Sequence, residues 1–192
     1  FASRAFHDFQ RMNAPDRSIA AAASLVAARL EELARISDEP GRTTRTFLSP
    51  AMRRANARVG GWMRAAGLVV REDDVGNLIG RLAGPRPRAK ILLLGSHLDT
   101  VRDAGRFDGP LGVLLPLAAL AEVRRRGKKL PFAVEVLGFS EEEGVRFGSA
   151  YLGSKGYAGT LRKADLALRD AGGRSVADVL AEHHARKVSR PA

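Results

Sequence analysis

The chain has 192 residues, no cysteine and a formal net charge of +11, which is enough length for one domain with a sizeable core and leaves no means of building a disulfide framework or a thiolate metal site. The longest apolar run, Leu111 to Ala121, is broken by Pro116 and falls far short of the roughly 20 residues that span a bilayer, so a soluble protein of the reducing cytoplasm with no membrane partner is expected. The positive charge is mostly arginine, clustered at Arg53-Arg54, Arg86/Arg88 and Arg124 to Lys129; clusters scattered over different elements, with no recognition motif, read as a solvated surface and not as a nucleic-acid interface.

Residues 1–17 place Arg4, Arg11 and Arg17 beside Phe1, Phe6 and Phe9. Without a continuous apolar core this is not a secretory signal, and it reads as an N-terminal arm. From Ser18 to about Ile36 the alanine-rich sequence repeats Ile19, Val26, Leu30 and Leu33 at near-helical spacing, which predicts an amphipathic helix with Ser18 as N-cap. A loop around Pro40-Gly41 follows. Ser49 before Pro50 is a cap and first-turn proline, starting a second helix that stops near Gly67. Leu68–Glu72 and Asn77–Leu82 read as strands joined by a turn at Asp73–Gly76. Gly84 to Arg88 turns the chain into an apolar run, Ile91 to Leu94, which predicts a central strand covered on both faces.

A long apolar helix is expected over Gly109–Arg126, then a second strand-like run, Phe132 to Ser140. Strand, helix, strand makes a βαβ unit with a parallel pair. The fold class expected is α/β, a mixed, mostly parallel sheet flanked by helices. The glycine-rich stretch after Gly144 predicts tight packing, and a short helix at Val176–Ala185 follows a capping box of Ser175 and Asp178.

Chemistry collects at the carboxyl ends of the two runs, where open α/β sheets form their sites. The first run empties into His97, Asp99 and Asp108; the second into Glu141, Glu142 and Glu143. If the strands are neighbours, imidazole and carboxylates converge on one point, the ligand set of a catalytic zinc or manganese ion. Asp99, two residues from His97, can orient the imidazole. Asp108 can bridge two cations or merely cap the next helix. Of Glu141 and Glu142, one can ligate while the other takes a proton from water. The residues by themselves reach a metal-assisted hydrolase.

GSHLDTV, GRFDGPLGV and GFSEEEGVRFGSAYLGS, with GRTTRTFLSPA and WMRAAGLVVREDDVGNLIGR, resemble the M20 metallopeptidase superfamily in its allantoate amidohydrolase and N-carbamoyl-L-amino-acid hydrolase branch. The resemblance covers about residues 20–180. It implies two divalent metal ions (zinc or manganese, with cobalt also accepted): His97 on one, Asp108 bridging, and Glu142 on the other. It casts Glu141 as general base and Asp99 as the residue orienting His97. The implied reaction is hydrolysis of a ureido or amide C–N bond in a small anionic substrate, most simply allantoate in purine catabolism, with release of ammonia and carbon dioxide.

Members of that branch are about twice as long, carry an inserted dimerisation domain that makes them homodimers, and use two further ligand histidines, one in an H-x-E-Q-G segment. This sequence contains neither. His183 and His184 precede the place where that segment would begin and are not read as replacements. The ending ARKVSRPA has no counterpart in the family and reads as a truncated or out-of-frame terminus. Residues 18–192 are therefore expected to be a partial catalytic domain, inactive alone. The alternatives are an M20 aminoacylase or peptidase and, from another class, a non-catalytic remnant that binds a metal or an anionic partner.

Overall fold

The computed structural model describes residues 17–188; the expected arm lies, but for Arg17, outside the described residues. Helix α1 (Arg17–Ala34) buries Val26, Leu30 and Leu33. Helix α2 (Pro50–Ala65) begins as its cap signal predicts, with the Ser49 hydroxyl accepting from the Met52 N–H and Pro50 in the first turn. Ser18 differs from expectation: it sits inside the first turn of α1 and donates to Glu122 Oε1 at 2.9 Å.

Four strands form one sheet: β1 (Val69–Glu72), β2 (Leu78–Leu82), β3 (Ile91–His97) and β4 (Ala133–Phe139), in the order β1-β2-β4-β3. The turn between β1 and β2 is organised by Asp73 Oδ1, which accepts from the N–H groups of Val75 and Asn77. Helix α3 (Pro110–Arg125) connects β3 to β4, which run parallel.

The α/β class and the mixed sheet are as expected, but "mostly parallel" needs correcting. β1 pairs antiparallel with β2, and β2 antiparallel with β4, so β3–β4 is the one parallel pair among the described strands. The tight turn after β1 forces a hairpin, and only the long crossover through α3 permits a parallel pair.

The expected placing of β3 also changes. β4 is the more buried of the two interior strands, β2 and β4, whereas β3 pairs with β4 alone among the described strands and leaves Ile91, Leu92 and Leu93 between 42 and 49% exposed. A continuous apolar run signals capacity for burial on two faces but not a strand's position in the sheet order.

One core joins α1, α2 and α3 to Leu78, Val134 and Val136 of the sheet. On β4 the alternate residue Glu135 is also buried, paired to Arg81 Nη1 at 2.6 Å and to the Tyr157 hydroxyl at 3.0 Å. A second cluster, including Phe47, Phe147, Leu152, Val176 and Leu180, gathers the two short helices α4 (Leu152–Tyr157) and α5 (Lys163–Ala167) with α6 (Val176–Val188). The predicted capping box of α6 is present in both directions, Ser175 N–H to Asp178 Oδ2 at 2.9 Å and Asp178 N–H to Ser175 Oγ at 3.1 Å.

Because α2 lies in the main core and its first turn depends on Ser49, the Ser49→Ala variant is expected to lose about 1 kcal/mol of stability, measured as a lower urea midpoint at unchanged m-value.

Candidate metal centre

Parallel pairing brings the two strand ends together, with His97 opposite Phe139 in register. The ladder continues one step further, from Leu98 N–H to the Phe139 carbonyl at 3.1 Å. Both chemistry-bearing loops therefore leave the sheet side by side, as the sequence requires.

Asp99 ties them. Its Oδ2 accepts from the backbone N–H groups of both Glu142 and Glu143 at 3.0 Å, and the residue is 1% exposed. The Asp99 carbonyl lies 2.9 Å from His97 Nδ1, whereas its Oδ1 is 3.6 Å away. A carbonyl can only accept, so Nδ1 carries the hydrogen. In the neutral ring Nε2 is then left with its lone pair. The residue predicted to orient His97 contacts it more closely through its backbone than through its carboxylate.

Nε2 faces the acids. Asp108 Oδ1 is 3.7 Å from it, on a side chain 70% exposed. One ligand atom each from His97, Glu142 and Glu143 lie within 4.8 Å of one another. Glu143, not singled out beforehand as a ligand, joins the group, while Asp108 stands beside it. Three consecutive glutamates give no sequence signal for which will join the cluster; the backbone of Glu142 and Glu143 is the part tied to Asp99.

Asp108 is not a helix cap. The N-cap of α3 is Gly109, at φ +82°, with no side-chain cap bond. A β-carbon on Gly109 would stand 2.6 Å from the His97 carbonyl oxygen and 2.7 Å from its ring, so only glycine allows the Asp108 loop to lie against the imidazole. Gly153 is as tightly placed, its missing β-carbon 2.6 Å from Asn77 Oδ1 and 2.9 Å from Ser140 N, which accounts for the glycine-rich stretch behind the glutamate loop.

Glu141 is 1% exposed and its Oε1 has no hydrogen-bond partner. Burial, reinforced by the Asp99 charge, pushes its carboxyl up to about 8. Burial by itself would lower the His97 imidazole, but the adjoining Asp99 carboxylate and carbonyl, with Glu142, outweigh it and raise the ring to about 9. Glu143 is raised by burial and by Glu142 and Asp108, against the lowering effect of His97. A histidine with a directed lone pair, a ring of acids and an unpaired buried carboxylate oxygen suits a divalent cation.

His183 and His184 are elsewhere, His183 Nε2 at 3.2 Å from Glu72 Oε1 and His184 Nε2 at 2.7 Å from the Asp74 carbonyl. They hold α6 to the β1–β2 hairpin and are outside the His97 group.

The fold and this site define a class. The structure is similar to a hydantoinase/carbamoylase family amidase from Burkholderia ambifaria, with a TM-score of 0.77 and 36% identity, over 85% of this chain and 40% of that one. Residues 93–184 match the family described as Peptidase family M20/M25/M40. The chain is 46% identical over 158 residues to "Allantoate deiminase 2" of Glycine max, covering 81% of this chain and 33% of the relative. It is 44% identical over 153 residues to an N-carbamoyl-L-amino acid amidohydrolase of Geobacillus stearothermophilus, covering 79% and 37%. The chain thus spans about a third of the length of these curated relatives.

A carboxyl that titrates near 8 in the fold and near 4.5 when unfolded holds its proton more tightly in the folded state. The stabilisation is full below about pH 4.5 and is lost as pH rises through about 8. In the metal-free chain Glu141→Gln removes this dependence. The variant is expected to gain on the native chain by on the order of 4 kcal/mol between about pH 4 and pH 9, read from urea unfolding at the two pH values.

Proposed function

We propose that this domain is the metal-binding part of an amidohydrolase that cleaves a ureido or amide C–N bond, with allantoate as the favoured substrate and N-carbamoyl-L-amino acids next. The observation that carries this reading is the imidazole of His97, its Nδ1 bonded to the Asp99 carbonyl and its Nε2 3.7 Å from Asp108, with a ligand atom of the ring within 4.8 Å of Glu142 and Glu143. The relatives' names supply the substrate class.

In this reading His97, Asp108 and Glu142 would hold the two cations, with Glu143 close enough to join them. The donor set of one imidazole and several carboxylates accepts zinc, manganese or cobalt. A bound cation supplies Lewis acidity toward the substrate carbonyl and acidifies water. Glu141 would receive the proton of the attacking water and deliver it to the departing nitrogen; burial raises its proton affinity in the metal-free chain, and the positive charge of a bound cation would favour the carboxylate form that accepts a proton. Asp99 keeps His97 in the tautomer that binds and holds the glutamate loop in reach. On allantoate the products are ammonia and, from the carbamate left behind, carbon dioxide.

Among the described residues no helix is long and apolar enough to cross a membrane. A cytoplasmic setting, and a homodimer for the longer protein, belong to the same proposal.

Metal binding by the 192 residues is the direct test. After dialysis against zinc or manganese, elemental analysis is expected to find metal retained by the native chain and lost in His97→Ala and Asp108→Ala; equal retention in all three would overturn the site. Turnover is expected only of the longer protein that completes the ligand set, so ammonia release from allantoate by the purified 192-residue chain would overturn that part.

A further inference from the structure

The donor group depends on Asp99, and Asp99 is itself held by a residue that the proposed chemistry does not use. Arg45 is 1% exposed and forms no ion pair among the described residues. Its Nε donates to the Leu98 carbonyl at 3.0 Å, and its Nη1 donates to the carbonyls of Leu33 at 2.8 Å and Ile36 at 3.1 Å. Those last two lie at the end of α1, where the helix dipole favours a cation. A charged group this deeply buried is costly unless its donors are satisfied. Here carbonyls from two separate segments accept from Nε and Nη1, so the guanidinium fastens the segments to each other.

The backbone of Arg45 makes the same connection two residues further on, at Thr100. Its N–H donates to Thr100 Oγ1 at 2.9 Å, and its carbonyl accepts from the Thr100 N–H at 2.9 Å. Thr44 Oγ1 then accepts from the Asp103 N–H at 3.1 Å, and the Thr43 carbonyl from the Ala104 N–H at 2.9 Å. Residues 43–45 are thus zipped along residues 98–104. Asp99 sits between the two points that Arg45 grips, Leu98 and Thr100. From there its carbonyl meets His97 Nδ1 and its carboxylate meets the Glu142 and Glu143 N–H groups.

We propose that Arg45 is the positioning residue of this site: by gripping the chain on both sides of Asp99 it sets the spacing of His97 against Glu142 and Glu143. The inference rests on the metal-site reading. The forked geometry of the guanidinium matters, because it reaches Leu98 on one side and Leu33 with Ile36 on the other, and a lysine ammonium cannot reproduce that fork.

The test compares the native 192-residue chain with Arg45→Met, Arg45→Lys and His97→Ala. Hydrogen exchange is read by mass spectrometry on peptides covering 97–104 and 133–138, and zinc affinity by competition with a chromophoric chelator. In Arg45→Met, exchange at 98–104 is expected to rise by about tenfold or more while β4 stays protected, and zinc affinity to fall by roughly tenfold to a hundredfold. Arg45→Lys is expected to shift both in the same direction. His97→Ala is expected to lose zinc while keeping residues 98–104 protected.

A folded Arg45→Met chain with native protection at 98–104 and native zinc affinity would overturn the proposal. So would a rise in exchange spread equally over β4, which marks a general loss of stability. If Arg45→Met does not fold, Thr100→Val is read in its place: faster exchange confined to 98–104 with weaker zinc binding supports the clamp, and no change in either overturns it. If the native chain binds zinc no more tightly than His97→Ala, the metal reading fails, and the exchange pattern alone decides whether Arg45 positions the loop.

Discussion

The buried carboxylate of Asp99 is the interaction on which the rest of the site depends. Burying a charge without compensation is expensive, yet this one lies almost wholly out of solvent because two backbone N–H groups point at it from another strand's loop. Hydrogen bonds to an ionised acceptor are stronger than those between neutral groups. The arrangement converts two independent strand ends into one surface. With an apolar residue in place of Asp99, the β3–β4 ladder would still set the strands in register, but the two N–H bonds that tie the Glu142–Glu143 backbone to the His97 loop would be lost.

That contact is possible only because β3 and β4 run parallel. Parallel strands deliver their carboxyl ends to the same edge, and the crossover helix that joins them must start there too. Its start is crowded. Gly109 meets His97 with no room for a β-carbon, and Gly112 would place one 2.7 Å from the Ser96 side chain. The two glycines let α3 begin directly over the strand end, which is how Asp108 comes to lie beside the imidazole. Topology, helix start and donor geometry are a single solution to one packing problem.

Local signals were legible in the sequence and long-range ones were not. The Ser49 cap, the Ser175–Asp178 box and the Asp73–Gly76 turn are each decided within a few residues, and the structure has them where the sequence predicts. The convergence of His97 with the glutamates followed from two apolar runs ending in polar residues. The edge placement of β3 did not, because strand order depends on partners far away in sequence. Glu143 could not be told from its neighbours, since its backbone is tied to Asp99, far away in sequence. Arg45 was hidden among many arginines; nothing local marks it as buried, and its significance lies in carbonyls 9 to 53 residues away. The helices α4 and α5 are six and five residues long, too short for periodicity to register.

The electrostatics of the site give a last constraint. His97 is raised to about 9 and Glu141 to about 8, so at neutral pH the metal-free cluster holds protons that isolated side chains would have released. One of those protons sits on His97, a proposed ligand, and the other on Glu141, the proposed general base. Ligands must lose protons before they coordinate, so in the proposed reading a cation would have to displace the proton that this environment favours on His97. The same crowding that raises these groups in the metal-free domain is what makes the cluster attractive to a divalent ion. In that reading proton and metal would compete for one cluster, and the hydrogen bonds of Asp99 hold its two loops together for either.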